Sequence, residues 1–98
     1  MLLLSEVSLG APYERLRAEY EADSSRQKAG KQSTWGKGRS APDPSGNSQL
    51  PGSAGVLVPM GKQSATDVKD TTLMYDEFIV YDTSQVKQRF VLSVKFKY

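Results

Sequence analysis

The sequence predicts an α+β chain, mostly antiparallel β, with one short helix and long loops. Three observations predict it. Leu73 to Asp82 and Arg89 to Tyr98 are rich in aromatic and β-branched residues and alternate with the period of a strand. Leu2 to Leu9 opens the chain with a second apolar run. Between these ends the chain is dominated by Ser, Gly, Pro and Lys, which punctuate loops.

Taken in order, Leu2 to Leu9 reads as a buried strand that Gly10 ends. Pro12 suits the first turn of a helix, and Tyr13, Leu16 and Tyr20 follow at near-helical spacing, so the helix is expected over Pro12 to Ala22. Asp23 to Gly55 reads as one long loop, a length that compact domains keep for function or mobility. Val56 to Pro59 is a short strand whose proline places it near an edge. Gly61 to Asp70 is a further polar loop. In Arg89 to Tyr98, Phe90, Leu92, Val94, Phe96 and Tyr98 share one face, and Val91, Ser93, Lys95 and Lys97 the other. That is a half-buried strand with its lysines in water. Thr83 to Gln88 is too long for a two-residue hairpin and reads as a turn anchored by Val86.

A length of 98 residues makes one small domain at most, or a piece of one, and a chain of this size buries only about 60% of its unfolded surface. The hydrophobic content of 38% is low for a globular domain. There is no cysteine, hence no disulfide framework, which suits a reducing compartment. There is no histidine, so no Ser-His-Asp or Cys-His pair can form within the chain. A net charge of +2 is too small to argue for nucleic acid. Met1 to Leu4 lacks the basic start of a signal peptide and meets Glu6 after a few apolar residues. No stretch reaches the length of a membrane span, so a soluble chain with no membrane partner is expected.

Glu77 stands out. Alternation puts Tyr75, Glu77, Ile79 and Tyr81 on one strand face and Met74, Asp76, Phe78 and Val80 on the other. A carboxylate among apolar and aromatic neighbours must be solvated, paired or used for chemistry. On composition alone, a solvent-exposed Glu on an edge strand is the favoured reading. Asp76 and Glu77 are adjacent and point apart, which disfavours a glycosidase-style carboxylate pair.

Gly30 to Arg39 invites a phosphate-binding reading, but a Walker A loop needs Ser or Thr after its Gly-Lys pair. Gln32, Gly38 and Gln63 follow Lys31, Lys37 and Lys62, so none qualifies. Trp35 among Lys28, Lys31, Lys37 and Arg39 is thin support for stacking on single-stranded nucleic acid, and a Trp that anchors the loop is favoured. The expectation is therefore no direct nucleic-acid binding by this segment.

The block Leu73-Met74-Tyr75-Asp76-Glu77-Phe78-Ile79-Val80-Tyr81, continued through Gln85-Val86 and Arg89-Phe90, closely resembles the end of poly(ADP-ribose) polymerase catalytic domains, Tyr-Asn-Glu-Tyr-Ile-Val-Tyr…Gln-Val…Arg-Tyr. Leu2 to Gly10 resembles that family's Leu-Leu-Leu-x-Glu-Val-Ala-Leu-Gly strand, and Gly30 to Pro44 its Gly-Lys-His-Ser…Ala-Pro-Asp-Pro segment, with Gln32 at the His position. The latter loop is assigned a structural role. The resemblance implies a partial ADP-ribosyltransferase fold. It also implies that residues 1–98 are the C-terminal portion of a catalytic domain, incomplete without its N-terminal part.

What the resemblance implies for chemistry is transfer of ADP-ribose from NAD+ to protein acceptors or a growing polymer, with NAD+ as substrate and no metal. The family's catalytic glutamate falls on Glu77, and Tyr75 matches a tyrosine on the acceptor side. Asp76 stands where the family usually has Asn. The family's NAD+-holding His and Tyr precede the strand on which this chain begins, so the isolated chain is expected to be inactive. A nuclear location is the family's expectation. The alternative is a non-catalytic remnant that recruits protein partners through an exposed sheet edge.

Overall fold

The computed structural model describes residues 1–53 and 55–97. Among the described residues, nine strands and one short helix run in the order β1 (Leu2–Val7), β2 (Pro12–Arg15), α1 (Ala22–Lys28), β3 (Ser33–Gly36), β4 (Ser40–Pro42), β5 (Asn47–Gln49), β6 (Leu57–Pro59), β7 (Gln63–Ala65), β8 (Glu77–Val80) and β9 (Val86–Leu92). Short 3-10 turns cover Pro44–Gly46 and Thr83–Gln85. The strands form one three-stranded sheet, ordered β2-β3-β8, and three two-stranded pairs, β1-β9, β4-β7 and β5-β6. Every pairing of named strands is antiparallel except β2 with β3. The predicted fold class, mostly antiparallel β with a single short helix, is the one observed.

The helix is elsewhere than expected. Pro12 to Arg15 is extended and pairs in parallel with Ser33 to Gly36, and the register continues where the Lys37 N–H donates to the Arg15 carbonyl at 2.9 Å. Leu16 turns its carbonyl to the Thr72 N–H at 3.1 Å. These partners satisfy the backbone without a helix. A helix there would gain little from packing, since Leu16 is exposed and Tyr20 fully so. The actual helix, Ala22-Asp23-Ser24-Ser25-Arg26-Gln27-Lys28, has no buried residue. Arg26 ties it to its own first turn through Asp23 and to the sheet through the Tyr81 ring, 4.3 Å from the guanidinium carbon. A helix of seven residues is too short to persist by itself, so these contacts and the adjacent β3 hold it.

Asp23 to Gly55 is likewise not one loop, because it holds α1, β3, β4 and β5. The Gly61 to Asp70 loop contains β7. The strand expected over Leu73 to Asp82 shortens to β8, and the last strand begins three residues early, at Val86, and ends at Leu92. Val86 starts β9 and closes the preceding turn through its backbone, its N–H donating to the Thr83 carbonyl, while its side chain is exposed. Tyr98 lies outside the described residues.

The sheets are not buried as expected. Leu2, Leu3 and Leu4 are 54%, 54% and 49% exposed, and β9 is exposed along both faces. Among the described residues no hydrophobic side chain is buried; the buried ones are Ser33, Thr34 and Thr71. The interior is thus polar. Thr34 Oγ1 lies 2.6 Å from Tyr81 Oη. The Thr71 hydroxyl sits 2.7 Å from the Lys37 carbonyl and 2.9 Å from that of Leu16, and accepts the Leu73 N–H at 3.1 Å. The physical reason for the exposed apolar faces is that each two-stranded pair lies open, with no second described layer on it.

Candidate functional site

Glu77 is the first residue of β8, opposite Gly36 of β3. β8 is an edge strand, and the Glu77 side chain is exposed with no hydrogen bond or ion pair to another described residue. Geometry alone therefore matches the exposed Glu on an edge strand that composition favours. What is unusual is how firmly the backbone beneath it is fixed.

The segment 36–40 clamps the approach to β8. The Arg39 N–H donates to the Leu73 carbonyl at 3.1 Å and the Ser40 N–H to that of Met74 at 2.9 Å, and Ser40 forms a parallel bridge with Tyr75. Thr66 secures the other side: its hydroxyl donates to the Gly38 carbonyl at 2.7 Å and its N–H to that of Arg39 at 2.9 Å. Gly38 is packed against the backbone of Tyr75 so closely that a Cβ there would collide with it. Only a residue without a side chain permits that approach.

Asp76 completes the clamp. Its Oδ1 accepts the Gly38 N–H at 2.8 Å and its Oδ2 the Trp35 Nε1–H at 3.1 Å. Trp35 stacks on Phe78 with centroids 5.6 Å apart and rings inclined by 17°. Lys37 Nζ lies 4.8 Å from the Trp35 centroid and 3.2 Å from Glu14 Oε1. Asp76 and Phe78 thus share the face toward Trp35, while Ile79 and Tyr81 share the other with Thr34. Within β8 the alternation read from the sequence holds for Phe78 and Ile79, which oppose Trp35 and Thr34. The two carboxylates are not a pair. Tyr75 is 54% exposed, two residues before Glu77.

The Gly-Lys steps make no phosphate loop. Gly30, with φ +71°, ends α1, its N–H donating to the Gln27 carbonyl at 3.0 Å. Lys37 and Gly38 connect two strands. The Trp35 ring is held in β3 between Phe78 and Lys37, the anchoring arrangement.

A depression of about 300 Å³ lies elsewhere, lined in part by Ser8, Gln32, Asp82 and Gln85. Sequence reasoning passed over its organiser. Gln85 Oε1 accepts the N–H groups of Tyr81 and Asp82 at 3.2 and 3.1 Å, and its Nε2 donates to the carbonyls of Ser8 and Gln32 at 3.0 and 2.9 Å. Gln32 in turn accepts the Ala11 N–H at 2.8 Å. The Asp82-x-x-Gln85 spacing of a capping box was the signal available for it. The Ser84 N–H, then the Ser84 hydroxyl, hold the Asp82 carboxyl below its usual range, and Ser45 does the same for Asp43. Among the described residues no cluster of three or more His, Cys, Asp or Glu could hold a metal ion, and no helix is long and apolar enough to cross a membrane.

Residues 1–96 match the family model for the poly(ADP-ribose) polymerase catalytic domain. Among curated relatives, poly [ADP-ribose] polymerase 1 of Xenopus laevis is 44% identical over 98 residues, all of this chain and 9% of the relative. Poly [ADP-ribose] polymerase 2 of Arabidopsis thaliana is 44% identical over the same span, 15% of its length. Poly [ADP-ribose] polymerase 1 of Arabidopsis thaliana is 45% identical, over 10% of its length. The chain therefore spans a small part of the curated relatives it matches. A full-length match at this identity, together with a family model covering nearly every residue, is enough to conclude that the chain belongs to the poly(ADP-ribose) polymerase catalytic domain family.

Proposed function

We propose that this chain contributes the glutamate side of an NAD+ ADP-ribosyltransferase site that builds poly(ADP-ribose) on protein acceptors, with Glu77 as its catalytic residue. The observation that carries the reading is a lone exposed carboxylate at the head of an edge strand, in the family's motif, on backbone clamped by Gly38, Ser40 and Asp76. The chemistry suits one carboxylate. Nicotinamide leaves NAD+ as a neutral base, so no general acid is needed. The ribose passes through an oxocarbenium-like state, which a nearby anion stabilises. The same carboxylate can hold the ribose 2′-hydroxyl and orient or deprotonate the incoming hydroxyl. Tyr75 borders the acceptor side. NAD+ is the substrate, no metal takes part, and the setting is nuclear.

The exposed apolar faces of β1 and β9 support a further part of this reading, that an N-terminal portion of the catalytic domain packs there and brings the residues that grip NAD+. The test is to carry residues 1–98 in place of the matching 98 residues of the Xenopus laevis relative, with the isolated chain in parallel. With labelled NAD+, the graft is expected to incorporate ADP-ribose and the isolated chain to release no nicotinamide. A folded graft without incorporation, or turnover by the isolated chain, contradicts the proposal.

The same open strands favour one alternative, a non-catalytic module that recruits protein through a sheet edge. It predicts a folded but inactive graft, and the incorporation assay separates the two.

A further inference from the structure

We infer that Asp76 is the positioning residue for Glu77, and that Trp35 is what requires a carboxylate at that position. The inference rests on the catalytic reading of Glu77. Asp76 is partly buried and faces two N–H donors, the Gly38 backbone at 2.8 Å and the Trp35 indole at 3.1 Å, one to each oxygen. An ionised carboxylate accepts at both oxygens; a carboxamide accepts at one, and its NH2 group only donates. With both donors present, an amide at this position serves one and turns its own donor toward the other. Leaving such a group unmade in partly buried surroundings is more costly than the bond is worth.

The consequence reaches Glu77 through the backbone. Asp76 immediately precedes Glu77, the first residue of β8, so the side chain that fixes residue 76 from the Trp35 side fixes the backbone from which Glu77 projects. Gly38, the second partner, is the glycine packed on the Tyr75 backbone. One carboxylate thereby joins β3, the 36–40 segment and the start of β8. Trp35 is the sole tryptophan of the chain and is itself fixed by Phe78 and Lys37, so its N–H is a rigid donor.

The test uses the graft of residues 1–98 in the Xenopus laevis relative, with Asp76→Asn, Trp35→Phe and the double variant. Asp76→Asn is expected to lower kcat for elongation about 10- to 100-fold, as a small misplacement of a reacting group does, with KM for NAD+ within about twofold. Trp35→Phe removes the indole donor, so an amide oxygen at 76 can then serve Gly38 alone. The double variant is therefore expected to recover to within about threefold of Trp35→Phe. With 15N-tryptophan labelling, the indole resonance that Trp35→Phe deletes is expected to move upfield in Asp76→Asn. An Asp76→Asn variant with unchanged kcat, an unmoved indole resonance, or a double variant as impaired as Asp76→Asn overturns the inference. Loss of folding in Asp76→Asn that Trp35→Phe does not restore overturns it too. Glu77→Gln in the same graft separates the two levels. If that variant elongates normally, the catalytic reading of Glu77 fails. If it is dead while Asp76→Asn is unimpaired, only the positioning role fails.

Discussion

Gly36 faces Glu77 directly across the β3–β8 ladder, and a Cβ added to Gly36 would lie 3.7 Å from that of Glu77 but 2.6 Å from the tip of Leu73. Leu73 is a flexible side chain that can give way. Gly38 has no such relief, because its neighbour is the Tyr75 backbone. Gly36→Ala is thus expected to be tolerated, at under about 1 kcal/mol, and Gly38→Ala to cost about 2–3 kcal/mol by overpacking. Thermal unfolding of the two variants in the graft checks the order; equal losses would show that the 36–40 segment does not rest on β8 as described.

Gln85 predicts a second stability effect at a distance from Glu77. Its amide makes four hydrogen bonds that join Ser8 and Gln32 to the start of the β8–β9 turn. Gln85→Ala is expected to destabilise by about 2 kcal/mol. Gln85→Glu keeps the acceptor but loses both donations and sets an anion against two carbonyls, so it should be no better than alanine. Denaturant midpoints decide, and a neutral Gln85→Glu would contradict the assignment of its amide orientation.

How much of this was legible in the sequence depends on what holds each element. The faces of β8 could be read because Phe78 and Ile79 alternate toward Trp35 and Thr34, although the residues flanking β8 are not strand as expected. The helix could not. Tyr13, Leu16 and Tyr20 have helical spacing, yet Pro12 to Arg15 is claimed by a parallel ladder from β3, which lies far along the chain. The true helix and β3 carry Ser, Thr, Asp and Gln where periodicity looks for apolar residues, so no hydrophobic pattern announces them. Strands form at both ends, but the burial expected of the first and of one face of the last failed for a related reason. Apolar character marks a face that needs covering, and no described layer covers β1 and β9. Of the site, Glu77 and Tyr75 were named from their motif. The tie between Asp76 and Trp35 joins residues 41 apart in sequence and is visible only in three dimensions.

Acid should weaken the fold through Asp43 and Asp82. Both carboxyls titrate below their unfolded value because Ser45 and Ser84 donate to the ionised form. A depressed folded pKa contributes stability that is present above the unfolded pKa and is lost as pH falls through the folded one. The loss should therefore begin near the model-peptide value of 3.8 and continue below it. Asp43→Asn with Asp82→Asn should flatten the acid limb of Tm against pH by lowering the neutral plateau toward the acid values. An unchanged acid limb would assign the acid sensitivity to other carboxylates.

The most direct test of the central claim is elongation by the graft with Glu77→Gln, read as the length distribution of polymer made from labelled NAD+. Glutamine keeps the size and hydrogen-bonding reach of glutamate but carries no negative charge and cannot take a proton. The account predicts a fall in elongation rate of about 100-fold or more, with Tm within about a degree of the parent because the Glu77 side chain has no described partner. Polymer of parental length at parental rate would contradict it, and would leave Glu77 the exposed edge-strand residue that composition alone favours.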